Sequence, residues 1–355
     1  MFVRFALASA AVVLTSIAAL SQAPTEAGAK KPSLAVGSPA PPLSIEKWVK
    51  GAPVPTFEKG KTYVVEFWAT WCGPCVASMP HLSEIQRGYK DKGITVIGVT
   101  SADQRGNDLA AVEAMVKKKG DGMDYTVAWD SGRKTADAYM TAAGQNGIPC
   151  SFLVDGAGKI AYIGHPMYLD MPIAQVAAGT WDAQKGNAAI AEAKVKLGEI
   201  RQAVESDPAS AAAKIGEFEA KYPAFASIVS SLKFDALMAA GEFPAAYAHA
   251  GKLVDEAIAH KNAAELNMLA WKIVDPEANW AKLDLDLALR AAEKAAALTD
   301  EKDGAILDTL ARVHFLKGDV KTAIDVQTKA VAVSTGDMKK SLEKALSEYK
   351  AKSSQ

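Results

Sequence analysis

The sequence has few of the residues from which metal and nucleic-acid sites are made. Only three cysteines and five histidines occur in 355 residues, and 40 Lys and Arg against 41 Asp and Glu leave a formal net charge of −1. A zinc site built on Cys72 and Cys75 would need two further Cys or His ligands at short spacing, and the sequence has no such pair. The balanced charge offers no basic stripe to nucleic acid. We therefore predict no metal and no nucleic-acid partner.

An apolar run dominates the first 23 residues. Arg4 supplies a short positive segment, Phe5 to Leu20 is apolar, and small residues end the stretch. This pattern predicts a secretory signal peptide over 1–23. The run is somewhat short for a transmembrane helix, which needs about 20 residues, although an uncleaved anchor stays open. Either way we expect the protein outside the reducing cytosol, in the periplasm, where disulfides persist.

The length and the change in composition along the chain predict two domains. Residues 24–40 are rich in Pro, Ala, Gly, Ser and Lys and are typical of an extended linker. Over 41–180 strand and helix patterns alternate and end in a hairpin, which predicts an α/β sandwich. Over 185–355 Ala, Leu, Glu and Lys recur at helical spacing, and we expect about eight short antiparallel helices.

Strand and helix signals meet within residues 64–75. A β-branched and aromatic run ends in Cys72-Gly73-Pro74-Cys75, and apolar residues at helical spacing follow. The two thiols therefore lie at the N-terminus of a helix, where unpaired N–H groups stabilise a thiolate. We expect Cys72 to be the nucleophile and Cys75 to resolve the mixed disulfide. A purely structural disulfide is disfavoured because so small a loop adds little stability.

The motif Trp71-Cys72-Gly73-Pro74-Cys75 resembles the active site of the thioredoxin superfamily, specifically its secreted TlpA-like (redoxin) branch, over about residues 35–175. The resemblance implies a thioredoxin-like fold in which Trp71, Gly73 and Pro74 support the dithiol. It also implies a kink at Pro80 in the active-site helix. Glu66 would be a buried acid that accepts the proton of Cys75. Pro149 would be a cis-proline beside the dithiol, at the edge that binds the substrate backbone.

Cys150 departs from the resemblance, because this family usually has a small or hydroxyl residue after the cis-proline. One interpretation is an unreactive buried thiol, as free cysteines often are. The other is a thiol that modulates the reactivity of Cys72 or forms a competing disulfide with it. Both interpretations stay open at the level of sequence.

The predicted activity is that of a thiol-disulfide oxidoreductase. The Gly-Pro pair between the cysteines resembles thioredoxin, which favours a disulfide reductant or exchanger acting on a disulfide-containing protein. No flavin or nicotinamide motif is present, so we predict no cofactor and an external electron donor, a membrane relay. A peroxidase is the enzymatic alternative, although the chain lacks the Pro-x-x-x-Thr-x-x-Cys pattern of peroxiredoxin-like proteins and has Ala69 three residues before Cys72.

The helical half contains a faint period of about 34 residues that resembles the tetratricopeptide repeat. The small-residue positions of this repeat are matched by Ala288, Ala295, Leu310-Ala311, Gly318-Asp319, Ala323 and Ala330. Real repeats would form a groove for a peptide or protein ligand, which predicts that this half holds the disulfide substrate. The alternatives are an ordinary helical bundle and, for the whole chain, an interaction scaffold with a secondary redox domain.

Overall fold

The structure is a computed structural model that describes residues 32–353. The predicted signal peptide (1–23) and residues 24–31 of the predicted linker (24–40) lie outside the described residues. Within them, no helix combines the length and the apolar character needed to cross a membrane. We call residues 32–180 the α/β region and residues 183–353 the helical region.

A six-stranded sheet forms the centre of the α/β region. The strands lie in the order β1-β4-β3-β2-β5-β6, and their bounds are β1 Lys47–Lys50, β2 Thr62–Phe67, β3 Ile94–Thr100, β4 Thr126–Trp129, β5 Cys150–Val154 and β6 Ile160–Gly164. Strands β2, β3 and β4 are parallel, whereas β5 pairs antiparallel with β2, and β6 with β5. Strand β2 is buried along its whole length because it has a neighbour on both sides and both faces are covered. The strands and the terminal hairpin confirm the predicted α/β architecture, which is thioredoxin-like.

Four helices accompany this sheet: α1 Gly73–Tyr89, α2 Leu109–Lys119, α3 Lys134–Ala136 and α4 Asp170–Ala177. Helix α3 has three residues and continues as a π-turn over Asp137–Thr141. Alternate residues of each strand point to opposite faces, so the sheet has two cores. Val64 and Trp68 pack with α1 on one face, while Val65 and Phe67 pack on the other with Tyr139. The dithiol therefore belongs to the α1 face.

The last part of the predicted linker is folded chain. Leu34 is buried and its N–H donates to the carbonyl of Ala142 at 3.0 Å. The N–H of Gly37 donates to Ile160 O at 2.7 Å, and that of Ala40 to Gly158 O at 2.8 Å. Residues 34–40 thus lie along the hairpin edge of the sheet, which corrects the expectation of an extended arm up to residue 40.

The described part of the helical region contains nine helices. They are α5 Ala183–Ser206, α6 Pro208–Lys221, α7 Ala226–Ala239, α8 Phe243–Ala259, α9 Ala263–Val274, α10 Leu285–Leu298, α11 Gly304–Leu316, α12 Val320–Val333 and α13 Gly336–Ser353. The prediction of an all-helical second half is confirmed. Tight turns separate several of them, as between α11 and α12, where Gly318 has φ +84° and the Asp319 carboxylate caps α12 by accepting the N–H of Thr322.

The two regions share a hydrophobic core. Tyr168 and Leu169, which follow β6, belong to the same cluster as Ile190 and Leu197 of α5. The ring of Tyr168 meets that of Phe225 edge-on, with centroids 5.5 Å apart. A continuous core of this kind fixes the helical region against the face of the sheet that carries α1.

Candidate active site

The dithiol lies where β2 ends and α1 begins. Cys72 is the N-cap of α1, and its Sγ accepts the backbone N–H of Cys75 at 3.2 Å. The two sulfurs form a disulfide. Cys72 is 4 % exposed and Cys75 1 %, so Cys75 is the more enclosed of the pair. In the reduced protein, the N–H groups of this helix end favour the thiolate of Cys72.

The residues between and after the cysteines start the helix. Gly73 and Pro74 occupy its first positions, where the missing N–H of proline costs nothing because that N–H would be unpaired. Pro80 lies inside the same helix, as the sequence predicts.

Trp71 lies exposed over the loop that follows β3, with 41 % of its surface open to solvent. Its Nε1–H donates to Asp103 Oδ2 at 2.6 Å, and the guanidinium of Arg105 lies 4.4 Å from the ring centroid. Burial opposes ionisation of Asp103, but hydrogen bonds from Trp71, Asn107 and Arg105 together hold the pKa of this carboxyl below its usual value. The indole is thus held in one orientation beside the dithiol.

Asn107 ties the active-site turn to the end of β3. This buried side chain accepts the N–H of Thr70 at 2.8 Å and donates to Thr100 Oγ1 at 2.9 Å and Ser101 O at 2.6 Å. Three satisfied hydrogen bonds on one buried amide fix the position of residues 69–72 relative to β3.

The Ile148–Pro149 peptide bond is cis, as predicted. It immediately precedes β5, the strand that pairs with β2, and the Ile148 carbonyl oxygen lies 3.8 Å from Cys72 Sγ. The proline loop and the dithiol are therefore in contact.

Glu66 is buried in the middle of the sheet with 1 % of its surface exposed. It lies on β2, two residues after Val64 and two before Trp68, which both pack on the face that carries α1. Because side chains alternate between the faces of a strand, the Glu66 side chain is on this face too. Its Oε1 has no hydrogen-bond partner in the described residues, and burial raises the pKa of the carboxyl to about 8. This residue can hold or release a proton near neutral pH.

Cys150 belongs to the opposite core. Its thiol is free, buried among Phe67, Tyr139 and Phe152, and 4.0 Å from Gln145 Oε1. Burial first, and the charge of Glu66 second, raise its pKa to about 12. Cys72 is bonded to Cys75, and Cys150 lies in the other core of the sheet.

A groove of about 530 Å³ opens beside the dithiol. Trp71 and Arg105 form one wall, and Ile148 with Gln145 forms part of the other.

Sequence reasoning missed Asp103, Arg105 and Asn107. A signal for them exists, because they follow β3, and the carboxyl ends of the parallel strands β2 and β3 meet at one edge of the sheet. Polar residues directly after β3 are therefore expected to lie beside residues directly after β2.

Comparisons with known proteins agree with this site. The Redoxin family model matches residues 35–168. Protein FixW of Rhizobium leguminosarum is 30% identical over 154 residues, which are 42% of this chain and 70% of that protein. The thiol-disulfide oxidoreductase ResA of Bacillus anthracis is 38% identical over 102 residues, which are 29% of this chain and 53% of that protein.

A putative thiol:disulfide interchange protein DsbE from Chlorobium tepidum has 25% sequence identity and a TM-score of 0.32, with 41% of this chain and 99% of that chain covered. The chain spans about half the length of the ResA relative described above. With its Cys-Gly-Pro-Cys dithiol at the start of α1, the chain belongs to the redoxin family of thioredoxin-like thiol-disulfide oxidoreductases.

Proposed function

We propose that this protein reduces or exchanges disulfides in protein substrates outside the cytosol, with the helical region holding the substrate. The observation that carries the proposal is the position of Cys72, which caps α1 and lies 3.8 Å from the Ile148 carbonyl oxygen at the mouth of a groove. Helix end, proline loop and groove together supply a reactive sulfur and a place for the chain that carries the target disulfide.

In the first step the Cys72 thiolate attacks one sulfur of the substrate disulfide. A bond forms between Cys72 Sγ and that sulfur, the substrate S–S bond breaks, and the released substrate thiolate takes up a proton. In the second step Cys75 loses its proton and attacks Cys72 Sγ. The Cys72–Cys75 disulfide forms, the second substrate thiol leaves, and two electrons have moved from the protein to the substrate.

Glu66 is the proposed acceptor of the Cys75 proton. It is buried on the face of the sheet that carries α1, and its pKa of about 8 suits proton transfer near neutrality. A Glu66→Gln variant should lose the pH dependence of the second step. Unchanged pH–rate behaviour in that variant would reject the role of Glu66 while leaving the dithiol mechanism intact.

The dithiol must be reduced again after each cycle. The chain has no flavin or nicotinamide motif, so the electrons are proposed to come from an external donor, a membrane relay. The predicted signal peptide supports a periplasmic site of action. Equilibration of the purified protein with dithiothreitol and glutathione buffers measures its reduction potential and so tests the direction of electron flow. A potential near that of thioredoxin supports a reductant, and one as oxidising as that of DsbA rejects it.

The helical region is proposed to be tetratricopeptide-like and to bind the substrate protein. Support comes from the small residues at the expected repeat positions, because Ala288, Ala295, Ala323 and Ala330 are all completely buried at helix contacts. Further support comes from the core that this region shares with Tyr168, which keeps any bound chain close to α1.

Reduction of insulin disulfides separates an enzyme from an interaction scaffold. We expect turnover by the wild type and by Cys150→Ser, whose mutated thiol lies in the opposite core, and only the uncatalysed background with Cys72→Ser. Equal rates for the wild type and Cys72→Ser would favour the scaffold and overturn the proposed activity.

A further inference from the structure

Four buried polar atoms without a hydrogen-bond partner in the described residues lie on one face of the sheet. They are Glu66 Oε1, Trp68 Nε1, Tyr125 OH and Ser151 Oγ. Unpaired buried polar groups are rare in folded proteins, and each one calls for an explanation. Because these atoms lie around one carboxyl, we look for one explanation that applies to all of them.

The sheet register brings these groups together. Glu66 lies directly opposite Gly98 on β3 and directly opposite Ser151 on β5. A Cβ atom placed on Gly98 would lie 3.0 Å from Tyr125 Cε2 and 3.1 Å from Trp68 Nε1. Both rings therefore cover Gly98, the neighbour of Glu66, and the absence of a side chain at this position lets them approach the carboxyl.

The chemistry of the four groups is complementary. The indole N–H of Trp68 can only donate, whereas the hydroxyls of Tyr125 and Ser151 can donate and accept. An ionised carboxylate only accepts. None of the three donors is hydrogen-bonded to the carboxyl in the described residues, and a buried water, which typically makes about three hydrogen bonds, can join groups placed in this way.

Electrostatics show that Tyr125 stays a donor. Burial first, and the charge of Glu66 second, raise the pKa of the Tyr125 hydroxyl well above its usual value. The pKa of Cys150, which lies in the opposite core, is also raised, first by burial and second by the charge of Glu66. Tyr125 and Cys150 are therefore both neutral wherever Glu66 titrates.

We propose that Tyr125 and Ser151, together with Trp68, are positioning residues that hold the Glu66 carboxyl and set where its proton resides. The proposal deepens the proposed role of Glu66 and rests on it for its effect on the reaction. A hydrogen bond donated to the carboxylate favours its ionised form and opposes the effect of burial. Removing a donor should therefore raise the affinity of Glu66 for its proton.

The test is a pH titration of the oxidised full-length protein with ¹³C-labelled glutamate, followed by NMR. The Glu66 carboxyl signal is assigned by its loss in Glu66→Gln. In Tyr125→Phe we expect the pKa of Glu66 to rise by about one unit, which is a tenfold change in proton affinity. Ser151→Ala should shift it in the same direction by less.

Tyr139→Phe is the matched control. This buried tyrosine lies on the opposite face of the same sheet, where its hydroxyl donates to the Pro41 carbonyl at 2.6 Å. It should leave the Glu66 titration unchanged. If Tyr125→Phe and Ser151→Ala titrate like Tyr139→Phe, the positioning role is wrong.

A second measurement distinguishes the positioning role of Tyr125 from the role of Glu66 as proton acceptor. The pH–rate profile of insulin reduction should move with the NMR titration in Tyr125→Phe. Should Glu66→Gln leave the pH–rate profile unchanged, Glu66 is not the proton acceptor of Cys75, yet a shifted Glu66 signal in Tyr125→Phe would still support the positioning contact. A shifted profile in Glu66→Gln with no NMR shift in Tyr125→Phe would overturn the positioning role alone.

Discussion

The α/β region and the helical region bury different kinds of side chain. The sheet encloses an acid, a serine and an asparagine, namely Glu66, Ser151 and Asn107, next to its aromatic residues. The core of the helical region is rich in alanine, and carboxylates such as those of Asp284 and Asp319 cap its helices. Buried polar groups cost stability unless they are paired, so unpaired ones point to a functional role. Alanine contacts and helix caps instead have a structural role.

The largest expected effect concerns the buried carboxyl of Glu66 in the α/β region. Glu66 has a pKa of about 8 in the folded protein against an ordinary value of 4.5, so the folded state keeps its proton at pH values at which the unfolded chain has lost it. The resulting stability is fully present below about pH 4.5, falls as the pH rises and is lost above about pH 8. Glu66→Gln should remove this decrease in stability. Its free energy of unfolding should exceed that of the wild type by up to about 5 kcal/mol at pH 9 and differ little from it at pH 4. Urea unfolding at both pH values measures it, and parallel stability curves for the two proteins would contradict the burial of a charged carboxylate.

The next prediction tests whether the two regions are independent. Phe225 is completely buried and packs against Tyr168, so Phe225→Ala leaves a cavity in the shared core. We expect a loss of about 3–5 kcal/mol in the free energy of unfolding. Hydrogen–deuterium exchange read by mass spectrometry should show both regions unfolding together in urea.

Phe315→Ala is the control for this variant, because Phe315 stacks on Tyr349 at the far end of the helical region. It should shift the exchange of the helical region with less effect on the α/β region. A Phe225→Ala protein whose α/β region unfolds at the wild-type urea concentration would show that the common core does not couple the regions.

The smallest effect concerns the caps of the helical region. Asp319 caps α12 by accepting the N–H of Thr322 at 3.1 Å, and Asp319→Ala should destabilise the protein by about 1 kcal/mol. Asp337→Ala removes an exposed carboxylate paired with Lys340 and should cost less. Thermal unfolding compares the two variants, and insulin reduction should be unchanged in both. Equal melting temperatures would argue against the cap.

Much of the fold follows from local patterns in the sequence. Alternation and β-branched residues predict the strands, and Cys72-Gly73-Pro74-Cys75 predicts the start of α1 because proline and a thiolate both suit a helix N-terminus. Residues 34–40 are different. Their composition is typical of a linker, and nothing local shows that Leu34 bonds to Ala142 or that Gly37 bonds to Ile160.

The site shows the same limit. Cys72, Cys75 and Pro149 belong to recognisable motifs, whereas Tyr125 and Ser151 look like ordinary strand residues. Their closeness to Glu66 depends on the register of β3, β4 and β5, which a single sequence does not specify. The contact between Tyr168 and Phe225 is likewise invisible, because an apolar helix face predicts burial without naming its partner.

Trapping of the mixed disulfide tests the central claim most directly. A Cys75→Ser variant with reduced Cys72 is mixed with oxidised insulin, and the adduct is mapped by mass spectrometry without reduction. We expect a covalent adduct on Cys72, none on the buried Cys150, and no adduct when Cys72 is also replaced by serine. An adduct on Cys150, or no adduct at all with a reduced and folded Cys75→Ser protein, would contradict it.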